Sequence, residues 1–130
     1  MFSMNIARSV LLTVVLAAAG PASDWSSPQR VDVVMNDYHF VPDHLTLRYG
    51  TVYRLHLVNH GKELHEFTAP AFFAAATMRD PRVLIAGGTE VSVEPGGTVD
   101  VDFIPRQVGR FTLICADHDW AGMVGYIVVE

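Results

Sequence analysis

The sequence predicts an all-β fold, a Greek-key sandwich of about seven or eight strands with one short helix. Three observations support this prediction. Apolar and polar residues alternate with a period of two over short runs from Arg30 onward, which is typical of strands with one buried face. Glycine- and proline-containing breaks separate these runs, and one alanine-rich stretch interrupts them. The 130 residues suffice for one domain with its own core.

The first strands are expected between residues 31 and 58. Val31, Val33 and Met35 form one alternating set, and the same alternation returns at residues 45–48 and 53–58. Tyr49-Gly50 separates the last two runs. Each run therefore predicts a strand that turns one face inward.

The stretch from Ala71 to Gly88 does not follow the strand pattern. Its alanine-rich part favours a helix, and Pro81 disfavours helical geometry in the residue before it. We therefore expect a short helix at about Phe72 to Arg79, inside a long connection.

The second half returns to strand patterning. Val91 and Val93 precede the turn sequence Pro95-Gly96-Gly97, and a second alternating run follows at residues 98–103, which predicts a hairpin. Two further strands complete the sandwich. One carries Phe111, Leu113 and Cys115 on its inward face, and the other runs from Val124 to Val129.

The N-terminal residues are typical of a signal peptide. Arg8 precedes an uncharged run from Ser9 to Ala22, which ends in small residues and is too short to span a bilayer comfortably. We expect residues 1–22 to be removed on export to the periplasm, which leaves a domain at 23–130 without a membrane span. The formal charge is −5 and no run of basic residues occurs, which argues against nucleic-acid binding.

One short segment contains three side chains that bind soft metals. The run from Phe111 to Met123 reads FTLICADHDWAGM and includes the only cysteine of the chain. Cys115 is followed by His118 and then by Met123, so that a thiolate, an imidazole and a thioether lie close together in sequence. A copper ion that cycles between two oxidation states requires these donors and a second imidazole. Metal binding would also protect a free thiol in an oxidising compartment.

The second imidazole is expected from His65, fifty residues before Cys115. His65 follows the loop VNHGKEL and begins a strand on which Phe67 shares its inward face, whereas Glu66 is expected to point outward. His60, in the same loop, remains open as an alternative ligand, and so does the Leu64 carbonyl as a further contact. The other three upstream histidines are expected at the surface: His39, His44 and His56.

Other types of site explain these residues less well. A nucleophilic Cys115 would lack a following helix start to lower its pKa. A zinc site gains nothing from a thioether. A multicopper oxidase would require paired His-x-His ligands, and a binuclear copper centre would require a second cysteine.

These features together resemble the cupredoxins, the small blue copper proteins, over Val31 to Glu130. The plastocyanin and pseudoazurin type has the spacing Cys-x-x-His-x-x-x-x-Met, which Cys115, His118 and Met123 reproduce. Other shared features are Asn59 before the first histidine, the Pro95-Gly96-Gly97 turn, Gly109 with Phe111, and Gly122-Met123-x-Gly125.

The resemblance implies one type 1 copper ion bound by His65, Cys115, His118 and Met123. Neutral imidazoles suit both oxidation states of copper, and a weakly bound axial thioether requires little change of geometry during electron transfer. The side chain of Asn59 is expected to connect the two ligand loops by hydrogen bonds.

The resemblance also implies a one-electron carrier rather than an enzyme. In the family, the ring edge of the second histidine reaches the surface within an apolar patch. Trp120 and Ala121 would form that patch beside His118, and Asp117 and Asp119 would favour a positively charged partner. The expected partners are redox proteins such as a c-type cytochrome or a copper oxidase or reductase, and the expected state is a monomer.

A second function remains open at this point. The run His65 to Phe67 reads HEF, a form that resembles periplasmic cupredoxins linked with copper handling. The same ligands would then hold copper for sequestration or delivery, and reduction of the metal would be incidental.

Overall fold

The computed structural model describes residues 13–17 and 22–130, and this part of the chain contains two five-stranded sheets and one short helix, α1 (Pro70–Ala74). The strands are β1 (Gln29–Asn36), β2 (His39–Val41), β3 (His44–Leu47), β4 (Tyr53–Asn59), β5 (His65–Thr68), β6 (Ala76–Met78), β7 (Glu90–Val93), β8 (Thr98–Pro105), β9 (Gly109–Ile114) and β10 (Val124–Val129). The predicted β-sandwich with one short helix is confirmed. The strands outnumber the predicted seven or eight because short segments such as β2 and β6 join the sheet edges.

The two sheets combine antiparallel and parallel pairing. The first sheet has the order β2-β1-β4-β8-β6, and the second has the order β3-β10-β9-β5-β7. Among the described strands, β1 pairs with β4 and β3 pairs with β10 in parallel, whereas the other pairs are antiparallel. The chain therefore crosses repeatedly between the sheets.

The predicted hairpin around Pro95-Gly96-Gly97 is wrong. Strand β7 pairs with β5 in the second sheet, whereas β8 pairs with β4 in the first. The turn itself exists, because the N–H of Gly97 donates to the Glu94 carbonyl at 2.9 Å. An alternating pattern identifies a buried strand face but not the strand beside it, and this turn carries the chain from one sheet to the other.

The helix is shorter than expected and begins earlier. Instead of spanning about Phe72 to Arg79, α1 starts with Pro70 in its first turn, and residues 76–78 pair with β8 as strand β6. Sheet pairing thus overrides the local helix propensity of this segment. Phe72 packs edge-on against Phe103 and Phe111, at ring-centroid distances of 5.3 and 5.7 Å.

The core lies between the sheets and contains most of the residues that the period of two placed inward, whereas Val31 and Val99 are only partly buried against it. The buried residues predicted in this way are Val33, Met35, Leu45, Leu47, Tyr53, Leu55, Leu57, Phe67, Val91, Val93, Val101, Phe103, Phe111, Leu113 and Cys115.

The predicted signal peptide lies mostly outside the described residues. In the part of the chain that is described, no helix is both long and apolar enough to cross a membrane.

Candidate metal centre

The segment with three of the predicted ligands is the connection between β9 and β10. These strands pair with Ile114 opposite Val124, and the N–H of Cys115 donates to the Met123 carbonyl at 2.9 Å. Between them the chain forms a 3-10 turn at Asp119–Ala121, and Gly122 ends that turn with a φ of +85°, a value that favours glycine. Local hydrogen bonding therefore closes the loop and fixes the spacing of its side chains.

The structure brings His65 to this loop from the first residue of β5. The Sγ atom of Cys115 lies 3.9 Å from Nδ1 of His65 and 3.5 Å from Nδ1 of His118. One donor atom from each residue falls within 4.8 Å of the other two. His65 and Cys115 are buried and His118 is half-buried, so the cluster is largely shielded from water.

These distances fit one metal ion shared by the three side chains. A metal ion with bonds of about 2.3 Å to sulfur and about 2.0 Å to nitrogen holds these two donor atoms about 3.5–3.9 Å apart. The sulfur–metal–nitrogen angle then lies between the tetrahedral value and slightly more than the trigonal value. Met123 is fully buried at the end of the same loop. A thiolate, two imidazoles and a nearby thioether in this fold fit a single type 1 copper ion.

A carboxylate that the sequence analysis missed positions His65. Oδ1 of Asp37 lies 2.6 Å from Nε2 of His65, so Nδ1 faces Cys115. The other carboxylate oxygen accepts a hydrogen bond from the N–H of Lys62 at 2.9 Å. This backbone hydrogen bond is the main reason why the pKa of Asp37 lies below its usual value. A side chain on Gly61 would not fit, because its Cβ would lie 2.8 Å from Nε2 of His65. Outer carboxylates of this kind orient metal-binding histidines.

The second histidine is more enclosed than the sequence analysis predicted. Only 12% of the His118 side chain is exposed, and its Nε2 lies 3.2 Å from a carboxylate oxygen of Glu63. The ring of Tyr38 lies 4.9 Å from the imidazole, centroid to centroid. Glu63 also raises the pKa of Tyr38 by accepting a hydrogen bond from its side chain. The expected exposed ring edge is therefore covered by Tyr38 and Glu63.

The prediction that Glu66 points outward is wrong. Glu66 is 4% exposed, and the Cys115 thiol donates to its Oε2 at 3.0 Å. The N–H of Glu66 donates in turn to Sγ at 3.4 Å. All four residues of strand β5 are buried, and Glu66 contacts Cys115, the residue directly after β9. The rule of one inward and one outward face therefore fails for this strand.

The environment of the thiol favours its protonated form. Burial, and then the hydrogen bond to Glu66, raise the pKa of Cys115 to about 12. At neutral pH the thiol keeps its proton, and a metal ion held by Cys115 would displace that proton, because a cysteine binds metal as the thiolate.

Asn59 stabilises the loop before His65, although it does not connect the two ligand loops as predicted. Its side-chain amide donates to the carbonyls of Glu63 and Val93, each at 2.8 Å, and its carbonyl oxygen accepts the N–H of Gly61 at 2.8 Å. The residue is fully buried. Asn59 therefore ties the loop before His65 to strand β7.

The remaining histidines lie away from the three-residue cluster. His39, His44 and His60 are exposed, and His56 is half-buried with Nδ1 at 2.6 Å from Asp100. Within the described residues, the cluster that could hold a metal does not include His60.

An aromatic surface lies beside His118. The side chain of Trp120 is 78% exposed, and its ring centroid lies 6.3 Å from that of Tyr38. The indole N–H donates to the carbonyl of Asp117 at 2.9 Å, which fixes the ring on the loop. Exposed carboxylates of Asp117 and Asp119 flank this aromatic pair. The sequence predicted Trp120 and its acidic neighbours here but gave no indication of Tyr38, which comes from the turn between β1 and β2.

Comparisons with known proteins agree with this fold. Residues 8–129 match the family model described as a cupredoxin-like domain. No curated protein sequence matches the chain significantly. A structure of auracyanin B is similar with a TM-score of 0.60 at 23% identity, over 81% of this chain and 91% of the other. Dithionite-reduced auracyanin from the photosynthetic bacterium Roseiflexus castenholzii has a TM-score of 0.58 at 16% identity, over 81% and 99%. At these identities the two structures show a shared fold.

Proposed function

This chain belongs to the cupredoxin family, and we propose that it is a type 1 copper protein that carries single electrons between redox proteins in the periplasm. The observation that supports this most is the convergence of His65, Cys115 and His118, with donor atoms within 4.8 Å. In the proposed site these three residues and Met123 are the copper ligands. The protein is then a carrier and not an enzyme.

The residues around the site are suited to electron transfer with little rearrangement. A copper ion bound here supplies the one-electron couple. Asp37 and Glu63 hold the outer nitrogens of the two imidazoles, at 2.6 and 3.2 Å, and so keep Nδ1 of each ring directed at Cys115. Since the loop from Cys115 to Met123 is closed by its own backbone hydrogen bonds, the ligand positions are set before metal binds. A preorganised site minimises the motion that accompanies electron transfer.

The surface beside His118 is the proposed docking site. Tyr38 and Trp120 provide exposed aromatic area, a type of surface that is enriched in protein interfaces. The surrounding carboxylates of Glu63, Asp117 and Asp119 favour a partner with a basic surface, such as a c-type cytochrome or a copper oxidase or reductase. Electrons would then pass through the His118 side of the site.

Electron exchange with a cytochrome c of basic surface tests this role. We expect a rate constant that falls as salt is added, because screening weakens attraction between exposed charges. The double variant Asp117→Asn/Asp119→Asn should react several-fold more slowly at low salt and equally fast at high salt. Asp32→Asn, on the exposed face of β1, is the control and should react like the wild type. A copper-loaded protein that exchanges no electrons with any redox partner would contradict the carrier role.

Buried Glu66 favours a second candidate, copper tolerance through sequestration or delivery. A carboxylate 3.0 Å from the cysteine sulfur adds negative charge where a cation would bind, which strengthens copper retention. Growth in excess copper distinguishes this role. A strain without the gene would be copper-sensitive if the protein sequesters copper, and would grow normally if the protein only carries electrons.

Export remains part of the proposal. We expect the mature protein to begin near residue 23 after removal of the signal peptide, and to be monomeric. N-terminal sequencing and sizing of the exported protein check both points.

Replacing Met123 by leucine is expected to preserve copper binding and colour but to raise the reduction potential. Met123 is fully buried, and leucine has a similar volume, so the fold should tolerate the change. The thioether contributes only a weak axial bond, whose loss chiefly alters the relative stability of the two copper oxidation states. Voltammetry and visible absorption measure the two effects.

Met78→Leu is the matched control, because Met78 lies on β6 and packs against the core. That variant should have an unchanged potential. Complete loss of copper from Met123→Leu would mean that Met123 is more than a weak axial ligand.

A further inference from the structure

The ring of Tyr38 connects the candidate metal centre with the surface of the molecule. It lies 4.9 Å from the imidazole of His118, at an interplanar angle of 38°, and 6.3 Å from the imidazole of His65, at 89°, centroid to centroid. Neighbouring aromatic rings in proteins pack at such distances, either offset or edge-to-face. One side chain therefore packs against both proposed imidazole ligands.

The same ring also packs against Trp120, at a centroid distance of 6.3 Å. Among the aromatic pairs of the described residues, Trp120 pairs with Tyr38 and with neither histidine. The hydrogen bond from the indole N–H to the Asp117 carbonyl holds the Trp120 ring in place. Consecutive ring contacts thus lead from His118 through Tyr38 to Trp120.

The direct way out of the site, through the edge of His118, is largely closed. Its side chain is 12% exposed, and its Nε2 faces a carboxylate oxygen of Glu63 at 3.2 Å. Tyr38 and Trp120, by contrast, are 37% and 78% exposed. A protein that docks here therefore contacts the two aromatic rings, whereas most of the imidazole stays behind them.

We propose that Tyr38 is the residue that couples the metal site electronically to a docked redox partner, with its ring as the bridge between His118 and the surface. This inference rests on the electron-carrier function proposed above and specifies its route. One electron leaves the cuprous site, which becomes cupric, and reduces a ferric haem protein to the ferrous state. No proton moves, and Tyr38 is not itself oxidised, because its ring only mediates the coupling.

The physical reason is the distance dependence of electron transfer. Electronic coupling falls steeply across gaps between atoms and less steeply across groups in contact. The contact of the Tyr38 ring with His118 therefore transmits coupling better than a layer of water of the same thickness. Removing the ring should slow the transfer step even when the partner is fully bound.

A second connection between Tyr38 and His118 runs through hydrogen bonds. Glu63 accepts a hydrogen bond from the Tyr38 side chain and lies beside Nε2 of His118. Phenylalanine retains the ring but lacks the hydroxyl, whereas leucine lacks both and retains apolar bulk. The variants Tyr38→Phe and Tyr38→Leu therefore separate the ring contact from the hydrogen-bonded connection.

The test follows electron transfer from the cuprous protein to a ferric cytochrome c of basic surface, at rising cytochrome concentration. The concentration at half-saturation reports docking, and the limiting rate reports transfer within the complex. We expect Tyr38→Leu to lower the limiting rate at least several-fold and Tyr38→Phe to keep the wild-type rate. The visible spectrum of both variants should match the wild type, because Tyr38 is not a ligand, and their measured reduction potentials correct the rates for driving force.

Tyr49→Leu is the matched control. Tyr49 is 54% exposed, and its N–H donates to the carbonyl of Glu130, just beyond the last residue of β10. Met123 directly precedes the first residue of that strand, so Tyr49 lies at the end of the domain away from the site. This variant should have the wild-type limiting rate.

A further measurement requires no copper. In NMR spectra of the metal-free protein, the ring protons of Tyr38 and His118 should show nuclear Overhauser contacts, because the two rings pack together. The ring resonances of His118 should shift strongly in Tyr38→Leu and only slightly in Tyr38→Phe, which retains the aromatic ring current.

An unchanged limiting rate in Tyr38→Leu, or the absence of these Overhauser contacts, would overturn the role of Tyr38 and leave the carrier function intact. Equal slowing in Tyr38→Phe and Tyr38→Leu would overturn the ring as the bridge and assign the coupling to the hydroxyl and Glu63. A wild-type protein that transfers no electrons to any redox partner would overturn the carrier function itself, and the role of Tyr38 with it.

Discussion

Copper-loaded Cys115→Ser is expected to lose the intense visible absorption of the wild-type protein, by more than about tenfold. The absorption arises from charge transfer between a thiolate and cupric copper, and a serine hydroxyl cannot replace this donor. The substitution is nearly isosteric, and Cys115 is a buried residue directly after the end of β9. The fold should therefore survive, and the spectrum should report the ligand alone.

Absorption spectra of metal-loaded protein, with copper content measured in parallel, check this result. Thr112→Ser is a suitable control, because Thr112 is exposed on the same strand and its substitution should leave the spectrum unchanged. If wild-type protein with a full complement of copper is colourless, the type 1 assignment is wrong.

The variant Asn59→Ala is expected to lose about 2–4 kcal/mol of unfolding free energy. Three hydrogen bonds of the fully buried Asn59 disappear, and the carbonyls of Glu63 and Val93 lose a donor. Each buried polar group without a partner costs about 1–3 kcal/mol. Because these bonds hold the loop before His65, copper should also dissociate faster from this variant.

Urea unfolding of the metal-free protein measures the stability, and transfer of copper to a chelator measures the dissociation rate. Asn36→Ala serves as the control, since Asn36 makes one exposed side-chain contact at 3.4 Å and its loss should cost less than about 0.5 kcal/mol. A similarly small loss for Asn59→Ala would show that water replaces its hydrogen bonds.

Local patterns in the sequence singled out three residues that the structure brings together, His65, Cys115 and His118. Cys115, His118 and Met123 lie in one loop whose turns are closed by short-range hydrogen bonds, so their spacing in sequence carries information about their spacing in space. His65 was predicted because it begins a strand directly after a loop, with Phe67 two residues further on the same face. The buried strand faces followed from the same alternation.

The parts that were missed or wrong depend on which segments become neighbours. Asp37 lies 28 residues before His65 in a different turn, and no local signal connects the two. The orientation of Glu66 depends on β5 being buried on both faces, and the false hairpin depends on β7 and β8 joining different sheets. Alternation describes one strand at a time, whereas these features belong to pairs of distant strands. For Glu63 and Glu66, the one indication in the sequence that they lie near the site was their position on either side of His65.

The fifty-residue separation of His65 from Cys115 makes copper binding dependent on folding. Of the four proposed ligands, Cys115, His118 and Met123 lie close together in sequence, whereas bringing His65 to them in an unfolded chain closes a loop of fifty residues, which costs entropy. Copper therefore binds the native state far more tightly than the unfolded state, and its binding energy adds to native stability by mass action. For the same reason, damage anywhere in the sandwich should weaken metal retention, so the affinity for copper reports on the integrity of the whole domain.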